Sequence, residues 1–239
     1  MPDQLIFQRR ESKYLLTDRQ ARGLLASLSD HPTPDRYSHS AIRSIYYDTP
    51  DFRLIRRSME RPVYKEKLRL RSYGCPGPED TVFAELKKKY RSVVYKRRVA
   101  LPLAWAEAGL ARRRALPDSQ IGRELTYALD LYPGLAPAVF LAYERDAFHG
   151  LGPEAEVRVT FDRDIRWRRE ALSLSAGGWG RAILPPDQVL MEVKTPGGMP
   201  LWLTHALTDQ RAYRTSFSKY GSAYQVMLAE ERKGVHLYA

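Results

Sequence analysis

Cysteine is all but absent: Cys75 is the single one in 239 residues, which excludes an internal disulfide framework. No apolar run reaches the roughly 20 residues that a membrane-spanning helix requires. Nothing at the N-terminus resembles the apolar core of a secretory signal, so a cytoplasmic location is expected. His31, His39, His149, His205 and His236 have no zinc-like spacing, which leaves them scattered surface or core roles. Neither an internal repeat nor a low-complexity tail is present. Acidic residues are in deficit, with 28 Asp and Glu against 39 Lys and Arg and a formal net charge of +11. An acidic partner follows: nucleic acid, inositol phosphate, nucleotide or inorganic polyphosphate. Charge alone does not choose among them.

What the chain has instead is charge in alternation. Lys65, Lys67, Arg69 and Arg71 share one face of a strand, while Glu66, Leu68 and Leu70 point the other way. Four more runs repeat the design. Phe83, Glu85, Lys87 and Lys89 alternate with Ala84, Leu86 and Lys88; Val94, Lys96 and Arg98 alternate with Val93, Tyr95 and Val99, with Arg97 as an exception. Glu156, Arg158, Thr160 and Asp162 oppose Val157, Val159 and Phe161, and Leu190, Glu192 and Lys194 oppose Val189, Met191 and Val193. An ordinary antiparallel sheet with its charges in solvent accounts for any one of these strands. Five such strands with their basic faces turned inward would form a cationic cavity suited to a polyanion. Glu85, Glu192 and Glu156 each stand two residues from a base, Lys87, Lys194 and Arg158 respectively. That pattern suits a divalent metal held against phosphate oxygens, or simply adjacent ion pairs.

The strands are expected at about 5–16, 42–48, 62–73, 81–90, 92–101, 138–147, 155–162 and 188–194. Thr17 and Asp18 offer a cap for a helix through Leu24, Leu25 and Leu28. Further helices are expected near 103–112 and 119–131, with Pro133 closing the second, and over much of 200–232 with a break near 216–219. Residues 163–187, rich in Gly and Pro, read as a flexible loop or irregular hairpin. The fold class expected is α+β, mainly antiparallel β: about eight strands closing into a barrel with a polar, basic interior, surrounded by helices, in a single domain over 1–239.

Taken in order, the motifs "ESKY" at 11–14, "SIYYDT" at 44–49, "LRLRSYG" at 68–74, "ELKKK" at 85–89, "YKRR" at 95–98, "YERDAF" at 143–148, "VRVTFD" at 157–162, "MEVK" at 191–194 and "FSKYG" at 217–221 resemble a known family. It is the catalytic domain of the vacuolar transporter chaperone (VTC) polyphosphate polymerases, within the CYTH-like triphosphate tunnel metalloenzyme superfamily. The resemblance runs from about residue 10 to residue 225 and implies an antiparallel β tunnel that binds triphosphate and metal. It assigns Lys13, Arg69, Arg71, Lys87, Lys96, Arg145, Arg158, Lys194 and Lys219 to the catalytic, phosphate-binding set, and Glu192 to the metal, Mn²⁺ or Mg²⁺. Lys67, Arg98, Ser218, Glu11 and Glu85 are additional substrate-binding residues with weaker support.

The implied reaction passes the terminal phosphoryl group of ATP, or another triphosphate, to a growing inorganic polyphosphate chain. Phosphoryl transfer rests on positioning and charge neutralisation, so neither a Ser/His triad nor a covalent intermediate is expected. Eukaryotic members sit beside an inositol-phosphate-sensing domain and membrane helices, which this sequence lacks. A free-standing cytoplasmic enzyme, or one with a separately encoded membrane-protein partner, is therefore expected. Two other readings compete. Tunnel-fold triphosphatases share nearly the same residues but open with Glu-x-Glu-x-Lys, and Arg9 stands where the first Glu would. A nonenzymatic polyanion binder, with Tyr46, Tyr47 and Tyr73 stacking bases, has no need of Glu192 within a cationic strand, so nucleic acid is not the expected partner. Trp167, Trp179 and Trp202 are expected to pack, and Cys75 lies in a turn.

Overall fold

The computed structural model describes residues 10–27, 32–91, 93–113 and 117–236. Residues 5–9 of the expected first strand, Arg9 included, and His31 lie outside the described residues, as does the side chain of His236. The strands are β1 (Arg10–Thr17), β2 (Pro32–Asp48), β3 (Tyr64–Tyr73), β4 (Thr81–Tyr90), β5 (Val93–Pro102), β6 (Ala136–Gly150), β7 (Arg158–Arg168), β8 (Arg181–Ala182), β9 (Gln188–Thr195) and β10 (Arg214–Thr215). The helices are α1 (Asp18–Ser27), α2 (Arg53–Met59), α3 (Leu103–Ala111), α4 (Gln120–Leu131), α5 (Leu201–Asp209) and α6 (Lys219–His236).

Local chemistry accounts for the boundaries. Thr17 Oγ1 accepts from the Gln20 amide while Gln20 Oε1 accepts from the Thr17 amide, a reciprocal cap that starts α1. Ser119 Oγ accepts from the Gly122 amide at the start of α4. The short helix α2, not expected from the sequence, is nucleated from outside itself: the Asp48 carboxylate accepts from the amides of Leu54 and Ile55, and Thr49 Oγ1 from that of Arg53. Gly74, at φ +80, turns the chain out of β3 in a conformation open to glycine.

All strands belong to one antiparallel sheet in the order β10-β1-β9-β7-β6-β2-β3-β4-β5, with β8 pairing β7. Eight long strands and two of two residues make up the set. The apolar faces of β2, β3, β4 and β6 point outward under α3 and α4, where Leu68, Leu70, Leu86 and Phe140 meet Leu103, Leu125 and Leu129. Those of β1, β7 and β9 point outward under α1 and α5, joining Leu16, Phe161 and Met191 to Leu24, Leu203 and Leu207. Charges therefore face in and apolar residues face out, as the alternation implies.

Closure of the barrel is corrected by the structure. The free edge of β1 pairs with β10, Lys13 opposite Thr215 and Tyr14 opposite Arg214, so the chain before α6 occupies the place of a ladder to β5. Among the described residues β1 and β5 share no ladder, and the sheet is an open, curled one. The strand expected at 155–162 instead runs 158–168, so Glu156 lies outside it, exposed, and does not share a strand with Arg158. The 163–187 region is ordered at both ends by β7 and β8. No helix among the described residues is long and apolar enough to cross a membrane.

Candidate functional site

Inside the curl, the period-two alternation delivers its cations to one place. In the β3–β4 hairpin, Lys65 stands opposite Lys89, Lys67 opposite Lys87 and Arg69 opposite Glu85. Across β4–β5, Lys87 meets Lys96 and Glu85 meets Arg98. On the other wall, Lys13 stands opposite Glu192, Glu11 opposite Lys194, and Arg158 opposite Lys194. A cavity of about 1030 Å³ lies between these walls, lined in part by Glu11, Lys13, Lys67, Lys87, Phe217 and Ser218.

Two carboxylate-centred networks organise the deeper cations. Glu85, 1% exposed, pairs with Arg69 at 2.6 Å, Lys96 at 2.8 Å and Arg98 at 3.4 Å. Burial alone would raise its carboxyl, but Arg69, Arg71 and Lys96 hold it far below the usual range. Glu192 pairs with Lys219 at 3.1 Å, Lys13 at 3.5 Å and Arg145 at 3.6 Å. Asp162, fully buried, takes a two-pronged hydrogen bond from Arg145 at 2.6 and 2.7 Å and pairs with Lys219 at 2.5 Å. Such forked contacts fix the guanidinium plane. Tyr143 joins the networks: its hydroxyl accepts from Arg71 at 3.2 Å, and Lys219 sits 4.6 Å from its ring centre.

For other cations burial outweighs the compensation. Burial, aided by Lys65, Lys87 and Lys13, lowers Lys67 to about 8, and burial with Arg145 and Lys87 nearby lowers Lys194 to about 8 despite Glu192 and Glu11. Lys65 is lowered by burial and by Lys89, Lys87 and Arg61. For Glu11, burial pushes upward, but Lys13, Lys87 and Lys194 prevail and hold its carboxyl below the usual value. The N-terminus of α6 enters the same cavity, with Ser218 Oγ accepting from the Gly221 amide and from Lys67 Nζ. A helix N-terminus adds positive potential for an anion.

The structure thus brings together Lys13, Arg69, Arg71, Lys87, Lys96, Arg145, Lys194, Lys219 and Glu192, with Glu11, Lys67, Glu85, Arg98 and Ser218 beside them. Arg158 takes a more peripheral, exposed place at the end of β7. Sequence reasoning left out Tyr143 and Ser44, placed Asp162 on the charged face without a site role, and offered Tyr46 only as a surface for stacking bases. Tyr46 is buried rather than presented to a base; its hydroxyl accepts from Arg69 at 3.0 Å, and although burial pushes the phenol up, Arg69, Arg71 and Lys67 bring it down to about 8. Ser44 Oγ accepts from Arg71. Inward parity within "SIYYDT" and "YERDAF" is the signal that marks Ser44, Tyr46 and Tyr143. Tyr47 is core, and Tyr73 packs with Arg98.

Among the described residues, no three His, Cys, Asp or Glu side chains group as a metal cage. Divalent cations that keep water and take phosphate oxygens need only one or two carboxylates. Glu192 fits that mode, and Thr160 supports it: opposite Glu192 in the β7–β9 register, it is buried with its Oγ1 lacking any hydrogen-bond partner. An orphaned hydroxyl facing a carboxylate is a place for a polar ligand.

The chain is 31% identical over 105 residues to vacuolar transporter chaperone complex subunit 4 of Trypanosoma cruzi (strain CL Brener), a match spanning 40% of this chain and 12% of that relative's length. Two solved structures share the fold. A candidate adenylate cyclase from Bacillus halodurans gives a TM-score of 0.55 at 16% identity, covering 87% of this chain and 92% of its own. A candidate adenylyl cyclase from Hippeastrum, described as having a dominant triphosphatase activity, gives 0.52 at 15% identity, covering 88% and 92%. The sequence model of the VTC domain matches residues 8–228, and the chain belongs to the VTC domain family.

Proposed function

We propose that residues 1–239 act as one tunnel domain that is a metal-dependent polyphosphate polymerase, moving the terminal phosphoryl group of ATP or another triphosphate onto inorganic polyphosphate. The observation that carries this reading is an interior where cations outnumber carboxylates, with Lys67 and Lys194 lowered to about 8 by burial and by the neighbouring cations. A phosphate chain supplies that missing charge. Membership of the VTC family and the likeness to a VTC complex subunit support polyphosphate as the substrate.

The residues divide the work by their chemistry. Arg69 and Arg145, held by Glu85 and Asp162, are pre-aimed donors for the transferring phosphoryl group. Lys13, Lys67, Lys87 and Lys194 are point charges on flexible stems that hold a chain yet let it advance. Glu192 would hold Mn²⁺ or Mg²⁺, with the Thr160 hydroxyl beside it; when bound, the ion neutralises charge on the phosphate oxygens. Charge neutralisation and alignment are most of what phosphoryl transfer asks of a protein.

A second reading is triphosphate hydrolysis, with water as acceptor at the same residues, favoured by the activity described for the Hippeastrum protein of shared fold. The test is incubation of purified protein with γ-labelled ATP and Mn²⁺ or Mg²⁺, products resolved on a gel, beside Glu192→Gln. A ladder of phosphate chains absent from the variant is the expected outcome. Orthophosphate alone makes the protein a triphosphatase, and no product makes it a binder.

A further inference from the structure

Two connections of the sheet meet beside the cavity. The link from α2 to β3 and the turn from β4 to β5 are joined there: the Arg91 amide donates to Val63 O at 2.7 Å, and Tyr64 stands opposite Tyr90. Lys65 Nζ donates to Ser58 O at 3.0 Å and holds the end of α2 against them. Met59, Arg61, Lys65 and Lys89 of this corner also line the cavity, so the corner is part of its rim.

Its outer surface mixes apolar tips with unpaired cations. Val63, Tyr90 and Met59 are 62%, 47% and 39% exposed, three large apolar side chains on adjoining segments. Between them Arg57, Arg61 and Arg91 are exposed and, among the described residues, form no ion pair. Glu60 is the one carboxylate in residues 57–65 and 87–91. Arg61 and Arg91 have φ of 55 and 52, left-handed positions that glycine or asparagine takes at lower cost. Two arginines held in strained turns on one corner mark it as a contact surface.

The chemistry selects the occupant. A protein interface gathers apolar residues at its centre and keeps charge away from them. Here each apolar tip is separate and has a cation beside it. A bilayer surface accepts that arrangement: aliphatic side chains and tyrosine enter the headgroup level, while long basic side chains reach lipid phosphates. Cations in excess call for a leaflet of negative charge.

We infer that this corner is a docking site for an anionic lipid bilayer, with Val63, Tyr90 and Met59 in the headgroup layer and Arg57, Arg61 and Arg91 on lipid phosphates. Docking of this kind lays the rim of the cavity against the membrane. The site is separate from the phosphate chemistry and stands whether the interior polymerises, hydrolyses or only binds.

The test is sedimentation of the protein with vesicles of phosphatidylcholine alone, or of phosphatidylcholine mixed with phosphatidylglycerol, at physiological salt. The double variant Val63→Ser with Tyr90→Ser, and separately Arg91→Asn, are measured beside the wild type. All three side chains are exposed, and calorimetric titration with tripolyphosphate checks that the cavity is intact in each variant. The wild type is expected to partition at least about tenfold more strongly onto the anionic vesicles than onto phosphatidylcholine. The double variant, which changes no charge, is expected to lose about tenfold of that partition, and Arg91→Asn about fivefold. Undiminished binding by the double variant shows adhesion of basic charge without insertion and overturns the docking site, as does failure of the wild type to bind either vesicle. Capture of polyglutamate in place of vesicles, blocked by Arg91→Asn, gives the corner to an acidic polypeptide and overturns the bilayer.

Discussion

Glu85 faces three cations, Arg69, Lys96 and Arg98, from the middle of β4. Replacing it by Gln leaves them crowded around a neutral amide, so Glu85→Gln is expected to lose about 3–5 kcal/mol of stability in urea unfolding, the usual cost of stripping one partner from a buried ionic network. Added tripolyphosphate restores part of that loss, since it brings negative charge back; an unchanged unfolding midpoint would sink the assignment. Because Glu85's folded pKa is depressed, its contribution is fully present above the ordinary carboxylate value of 4.5 and is lost as pH falls toward the depressed value. At this scale the sequence is informative. Alternation alone places Glu85, Lys87, Arg69 and Lys67 on the inner face, and Arg97, the exception to it, turns outward to Glu124 of α4. Tyr143 escaped because its partner is far along the chain: Arg71 is 72 residues away. Pattern within a strand records which way a side chain faces, not what it meets there.

Most strands and the helices α3 and α4 were legible from periodicity and turn chemistry to within a few residues. The exceptions share a cause: their stability comes from elsewhere in the chain. Helix α2 depends on Asp48, which Tyr220 also contacts at 2.8 Å from the far end of the sequence. Of the flexible loop or irregular hairpin that its glycines suggest, the segment after β7 forms the irregular hairpin, pairing back through β8, and the buried Arg168 guanidinium gathers the carbonyls of Glu170, Ala171, Ser173, Gly177 and Trp179 while stacked on Phe140. Replacing Arg168 by Met orphans those carbonyls. Hydrogen exchange of residues 169–180 is expected to accelerate at least about tenfold, about 1.4 kcal/mol of local opening, with β3 and β4 unaffected. Equal acceleration throughout the sheet would show that Arg168 supports the whole fold and not this loop.

Across the whole molecule, a net charge of +11 and an interior short of anions couple ligand binding to protons. Lys67 and Lys194, at about 8 when free, regain the ordinary lysine value near 10.4 once phosphate surrounds them. Binding therefore takes up protons at pH 8.5, and affinity falls as pH rises through about 8 toward about 10, levelling off only below about 7. Calorimetry in two buffers of different ionisation enthalpy measures the uptake; zero uptake at pH 8.5 contradicts the shifts. The closed barrel was the expectation that failed, since equal strand counts describe both a ring and a curl, and only the pairing of β10 on β1 decides between them. That open seam carries a consequence of its own. Lys13 on β1 and Lys87 on β4 line the same cavity from opposite banks of it, so an anion held by both would act as a hoop tie, joining across the gap two edges of the sheet that no backbone ladder joins.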